Sequence, residues 1–241
     1  MRNIPTITKN LLIINIIAFF ALYVFSMRGV DLNDMFGLHF FKASNFHLYQ
    51  FVTYMFCHAG FTHLFFNMFA LWMFGMTIES VMGPKRFLTY YMVCGIGAGI
   101  VQELVQLITF YAMGFGAYEM ANTGMGIVPI GEVLNSWTTV GASGAVYGVL
   151  LAFGMIFPNE RIFIFPIPVP IRAKWFICIY IVIELFSGFA GNSNVAHFAH
   201  LGGMLFGFLL IRYWQHGGGR NNHFFNGRGP IGRFFRDRQD F

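Results

Sequence analysis

"GASGAVYGVLLAFGMIF", Gly141 to Phe157, runs for 17 residues without a charged side chain and opens on a hydroxyl, Ser143, set among glycines. An apolar run of this length suits a helix crossing hydrocarbon, where roughly 20 residues span the bilayer and every backbone group must be bonded within the helix. The chain around it is built the same way. Of 241 residues, 56% are hydrophobic and 10% charged, against roughly 25% charged in soluble domains. That composition excludes a soluble globule and points to a polytopic membrane protein.

Apolar runs bounded by Gly, Pro, Asn or charge recur at Leu11 to Met27, His63 to Met82, Phe87 to Met113, Trp175 to Phe189 and Val195 to Trp214, so six spans are expected with the opening run as the fourth. The first run has no small-x-small site behind it and is read as a retained span rather than a cleaved leader. Residues about 28–62, including "FHLYQFVTYMFCHAGF", are too interrupted to cross and are expected to lie on the membrane as a loop with short helices. The prolines of "IFIFPIPVPI" forbid a regular helix there, which makes it an interfacial connector. Cys57, Cys94 and Cys178 are odd in number and are read as core residues, not a disulfide framework. The expected organisation is therefore a core over 1–214 and a disordered basic cytoplasmic tail over 215–241, resting on anionic lipid.

With the N-terminus in the cytoplasm, all but Arg28 and Lys42 of the 15 Lys and Arg residues fall on the cytoplasmic side. Six spans with both termini inside follow. In that arrangement the second, fourth and sixth spans all enter from the external face, and their first turns share a depth to within roughly 10 Å at a rise of about 1.5 Å per residue. Those turns carry His63, then Gly141 and Ser143, then His197 and His200.

Ser143 alone is weak evidence for chemistry, because small residues are common where membrane helices touch and the last glycine of G-x-S-x-G is replaced by Ala145. A base is what changes its meaning. In "NVAHFAHLGGMLFGFLL", His200, Gly203 and Gly207 fall within about 60° of one another on a helix, so an imidazole shares a face with a close-packing glycine surface. The fourth span has its own Gly144-x-x-x-Gly148, and Tyr147 follows Ser143 by one turn, where its ring can pack on the imidazole. Donors for an oxyanion are offered by "HAGFTHLFFN", where His63 and Asn67 are four apart on one face, and by the backbone N–H of Ser143 at a helix start; the plain alternative is that His63 and Asn67 only tie loop to helix. His58 is expected to make a structural hydrogen bond. Glu103 and Glu184 have no spacing that points at His200, so a dyad without an acidic third member is expected.

The combination of "HAGFTHLFFN", "GASGAVYG" and "AHLGGMLFG", in this order on alternate spans from about Phe46 to Trp214, resembles the rhomboid intramembrane serine proteases. The resemblance implies an all-α six-helix bundle in which Ser143 is the nucleophile and His200 its base, His63 and Asn67 line the oxyanion site, and Tyr147 supports His200. Glu79 is similar to a family glutamate with a structural role. It also implies substrates that are transmembrane segments of other proteins, entering past the fifth span and the first loop, and a location in the bacterial plasma (inner) membrane. No cofactor, metal or nucleic-acid partner is expected, and oligomeric state and the loop over 113–138 are left unassigned. The rivals are a rhomboid-like protein that binds clients without cutting, which would lack the serine or histidine present here; a transporter, which would favour repeated halves with polar groups at mid-depth; and a metal or haem site, disfavoured because His58 and His63 sit about 140° apart and no H-E-x-x-H occurs.

Overall fold

The computed structural model describes residues 4–124, 126–164, 167–190 and 196–216. The basic tail read as disordered lies outside the described residues from 217 onward, and so does Val195, read as the start of the sixth run. Six long helices dominate: α1 (Thr6–Ser26), α2 (Phe61–Met82), α3 (Pro84–Ala112), α4 (Ser143–Ile156), α5 (Ala173–Ala190) and α6 (His197–His216). Of these, α1, α2, α3 and α5 are long and apolar enough to cross a membrane. The sequence reading expected a purely helical fold; three short antiparallel ribbons accompany the helices. They are β1 (Leu38–His39) with β4 (Thr138–Thr139), β2 (Met120–Asn122) with β3 (Ile127–Pro129), and β5 (Arg161–Ile164) with β6 (Ile167–Arg172). The proline-rich connector is thus a hairpin. Prolines at every second position suit such an edge strand, since alternate backbone nitrogens face away from the partner.

Local chemistry sets the joints. Gly83, at φ 78°, ends α2 in the left-handed region, and Pro84 opens α3 at its first position, where a missing N–H costs nothing. Within α2 a π turn over Leu71–Gly75 shifts the helix phase between His63 and Asn67 on one side of it and Glu79 on the other. Glu79 is buried and reaches across to α1, where its carboxylate accepts from the backbone N–H groups of Ile7 (2.9 Å) and Thr8 (2.6 Å) and from the Thr8 hydroxyl (2.7 Å). It supplies the cap that α1 lacks in its own sequence. Glu79→Gln is expected to lower stability by about 1–3 kcal/mol, because the amide nitrogen cannot accept the bonds one carboxylate oxygen made. A lower thermal midpoint in detergent, with unchanged reactivity of the folded fraction, is the result that checks it.

Helix α4 is the centre of the bundle. Ten of its 14 residues are buried, against four of 21 in α1, and it packs on α2, α3, α5 and α6. At about 1.5 Å per residue its length falls well short of the roughly 30 Å hydrocarbon layer. Its first residue, Ser143, follows the non-helical stretch Val140 to Ala142. Irregular backbone packed inside a bundle needs partners within the protein, and Gly141 finds one by donating its N–H to the Tyr54 carbonyl at 2.9 Å.

Glycines bring the inner helices together. A Cβ built on Gly203 of α6 would overlap the carbonyl oxygen of Gly144 on α4, and one on Gly148 would lie 3.2 Å from the Gly203 oxygen. Gly207, expected on that same α4-facing surface, points instead at the Tyr90 ring of α3. The close approach is three-sided, with Tyr90 donating its hydroxyl to the Gly148 carbonyl at 2.8 Å.

The chain before α2 makes short helices over Leu32–Phe36 and Gln50–Thr53 and a 3-10 turn over Tyr54–Phe56. The β1–β4 ribbon ties it to the loop that precedes α4, and His39, fully buried, bridges the two with ring nitrogens 2.9 Å from the Asn135 carbonyl and 2.6 Å from the Asp34 carbonyl. Cys57 and Cys94 are buried as expected, but Cys178 is exposed on the outer side of α5. The correction has a simple cause: lipid is as apolar as a protein core, so hydrophobic context does not tell the two apart.

Candidate active site

The first turns of α2, α4 and α6 meet at one end of the bundle. Ser143 Oγ lies 2.8 Å from Nε2 of His200, across the α4–α6 contact that Gly144 and Gly203 permit. His200 is buried and Ser143 half-buried. One turn along α4, the Tyr147 ring stacks on the imidazole with centroids 4.2 Å apart and planes 5° from parallel. Hydroxyl and aromatic face thus come from the same helix face, four residues apart, and hold the imidazole from two directions.

His63 and Gly141 border the serine on the α2 side. A Cβ on Gly141 would sit 2.9 Å from His63 Nε2 and 3.5 Å from Ser143 Oγ, so the bare α-carbon separates imidazole from hydroxyl. With φ at 131°, Gly141 occupies backbone space that a side chain would strain. The backbone N–H of Ala59 donates to His63 Nδ1 at 3.4 Å, which leaves the ring proton on Nε2, beside Gly141. Asn67 is buried and spends one amide hydrogen on the His63 carbonyl at 2.9 Å, leaving the other available as a donor.

His58 departs from expectation. Neither ring nitrogen makes a well-aligned hydrogen bond among the described residues, although the Phe56 backbone lies close enough to act on the ring, and its ring stands edge-on to His63 at 5.3 Å between centroids. Burial first, and His63 second, hold its pKa down at about 4. It is a neutral wedge behind His63.

The larger departure is Glu184. The sequence reading gave His200 no acidic neighbour, yet the carboxylate of Glu184, on α5, lies against it: Oε2 is 3.1 Å from His200 Nδ1 and 2.6 Å from His197 Nδ1, and Oε1 accepts the Tyr147 hydroxyl. The His200 contact is at ion-pair distance, but the N–H direction passes beside the oxygen. Donor atoms of Glu184, His197 and His200 all lie within 4.8 Å of one another, as close as a metal site requires. Here the carboxylate oxygen itself stands between the two imidazoles. The one signal in the sequence was the presence of a carboxylate inside an apolar span. Glu103, another such residue alongside Glu79, accepts the backbone N–H of Phe41 at 2.8 Å and so anchors the first loop.

A family model for the Rhomboid domain matches residues 45–215. The chain is 32% identical over 161 residues to the mitochondrial Rhomboid protein 1 of Saccharomyces cerevisiae, covering 66% of this chain and 39% of that protein. It is 30% identical over 211 residues to the chloroplastic Rhomboid-like protein 11 of Arabidopsis thaliana, covering 83% and 62%. It is 30% identical over 170 residues to a putative rhomboid protease of Bacillus subtilis, covering 70% and 68%. The matched stretch thus spans less than two thirds of the yeast and Arabidopsis proteins.

Proposed function

The chain belongs to the rhomboid family, and from that premise we propose that this multi-pass membrane protein is a serine endopeptidase that cuts transmembrane segments of other membrane proteins. The observation that carries the reading is the 2.8 Å approach of Ser143 Oγ to His200 Nε2 at the start of α4. In the reaction, Ser143 Oγ attacks the scissile carbonyl carbon while its proton passes to His200 Nε2. The tetrahedral intermediate collapses with cleavage of the C–N bond, and His200 hands the proton to the departing amine. Water then attacks the ester carbonyl, gives a proton to His200, and the second collapse returns it to Ser143 Oγ.

The oxyanion of each intermediate falls over Gly141, within reach of His63 Nε2–H, the free amide hydrogen of Asn67 and the Ser143 N–H, which heads α4 without a side-chain cap. All six helices span the membrane in this reading, the shorter α4 included, with both termini and the basic loops in the cytoplasm of a bacterium and the serine beneath the outer surface. Residues 1–214 form the catalytic unit and 215–241 the basic tail.

The test is incubation of the purified protein in detergent with a single-span model substrate, followed by mass spectrometry of the new termini. One discrete cut within or next to the span is expected; an intact substrate together with no fluorophosphonate labelling would reject the reading. In the same assay Asn67→Ala is expected to slow acylation by about 10²–10³. An unchanged rate would remove Asn67 from the oxyanion site and leave the nucleophile in place.

A further inference from the structure

Helix α5 buries Ala173, Phe176 and Ile177 in its first turns, and after them, among the described residues, it buries Glu184 alone. Around that carboxylate Ile179, Val182, Ile183, Leu185, Phe186 and Phe189 face outward. A helix end that turns its aliphatic side chains to lipid and its acid to the protein interior reverses the usual economy, since a buried carboxylate is costly unless donors surround it. The partners are there: Tyr147 donates to Oε1 and His197 sits on Oε2, with His200 Nδ1 3.1 Å from Oε2 but out of line with it. Of these, the His200 contact is made by Nδ1, the nitrogen opposite the one that faces Ser143.

We propose that Glu184 is a positioning residue for His200, converting the serine–histidine pair into a Ser143–His200–Glu184 relay of contacts. The proposal rests on the function argued above and adds to it. His200 can take the serine proton only with the Nε2 lone pair free, which requires the ring's resident proton on Nδ1. A carboxylate beside Nδ1 favours that tautomer, and it offers a counter-charge when Nε2 gains the second proton. The proton does not move on to Glu184; it returns from Nε2 to the leaving amine. Buried between α4, α5 and α6, an imidazolium without that carboxylate would have no other anion beside it among the described residues.

The surrounding contacts fix the geometry. Tyr147 stacks on the face of His200 and donates its hydroxyl to Glu184, so one side chain sets both the plane of the ring and the position of the acid. His197 holds Oε2 from the other side at 2.6 Å. The Nδ1–H passes beside Oε2 in the resting arrangement, as catalytic hydrogen bonds often do before substrate binds, and a small rotation brings it into line.

The experiment compares wild type with Glu184→Gln and Glu184→Asp, in EDTA so that no cation occupies the cluster, using the single-span substrate and the fluorophosphonate. Glu184→Gln is expected to lower kcat about 10²-fold or more with KM within about twofold, and to slow acylation in parallel; Glu184→Asp should recover at least about tenfold of that loss. A second measurement needs no variant at Glu184. Nitrogen-15 NMR of histidine-labelled wild type should show His200, assigned by loss of its signal in His200→Ala, with the proton on Nδ1. A folded Glu184→Gln with kcat within about twofold of wild type overturns the proposal, as does a loss confined to KM or thermal stability that aspartate does not repair. His200 carrying its proton on Nε2 also overturns it. Should wild type neither label nor cleave, the proposed function fails, and the NMR result still decides the role of Glu184.

Discussion

Ser143→Ala and His200→Ala are each expected to lower kcat by about 10⁴–10⁶ and to abolish fluorophosphonate labelling, and the double variant is expected to be no worse than the more damaging single one. Removing Oγ deletes the atom that bonds to the substrate carbon. Removing the imidazole takes away the one group that hydrogen-bonds to Oγ among the described residues, and the Tyr147 hydroxyl is committed to Glu184. The two losses should not multiply, because in the proposed reaction both residues act in the same proton transfer. What survives is the hydrolysis that His63 and Asn67 support with water as nucleophile, set by donors neither substitution touches. Ser143→Ala also leaves His200 Nε2 without its hydroxyl, worth about 1–3 kcal/mol, so its thermal midpoint should fall while its far-UV spectrum is retained. A His200→Ala protein that still acylates within about tenfold of wild type would mean the 2.8 Å approach is only a packing contact.

The residues of this site were legible because polar groups in apolar spans are few. Ser143, His200, His63 and Asn67 lie at or near the start of runs with few other polar side chains, and the expected alternation of span direction puts those turns at one depth. Glu184 was not legible for a definite reason: it joins His200 across a helix–helix contact, and which way α5 faces depends on how it packs, which its own pattern does not carry. Its span is apolar on every side because lipid and protein interior select the same residues. The exposure of Cys178, read as core, has the same origin. Gly207 shows the complementary limit. Its spacing from Gly203 placed it on the right stripe, but a third helix, α3, takes part of that stripe. The loop over 113–138, unassigned from sequence, is held through His39 and Asn135, two residues 96 apart with no shared motif.

Gly203→Val should cost both stability and rate, and the two losses can be separated. In an ordinary helix, replacing glycine removes a penalty of about 1 kcal/mol relative to alanine. Here the sign reverses, because the first added carbon meets the backbone of Gly144, its carbonyl oxygen, carbonyl carbon and α-carbon together. No rotamer relieves an overlap with backbone, so α6 must move away from α4 as a body. Overpacking of this kind costs about 1–3 kcal/mol, occasionally more, and a shift of about 1 Å in a reacting pair can cost on the order of 10² in rate. Valine, with two further methyls, should move the helices further and reduce acylation by about 10³ even in the folded fraction; Gly203→Ala should fall between it and wild type. The measurement is the fluorophosphonate labelling rate normalised to protein that still melts cooperatively. A valine variant that loses stability but labels at the wild-type rate would show that His200 follows Ser143 without the glycine contact. Graded loss through Gly, Ala and Val would instead tie the proton transfer to the distance between two helix backbones, which is why a hydroxyl and an imidazole 57 residues apart can work as one group.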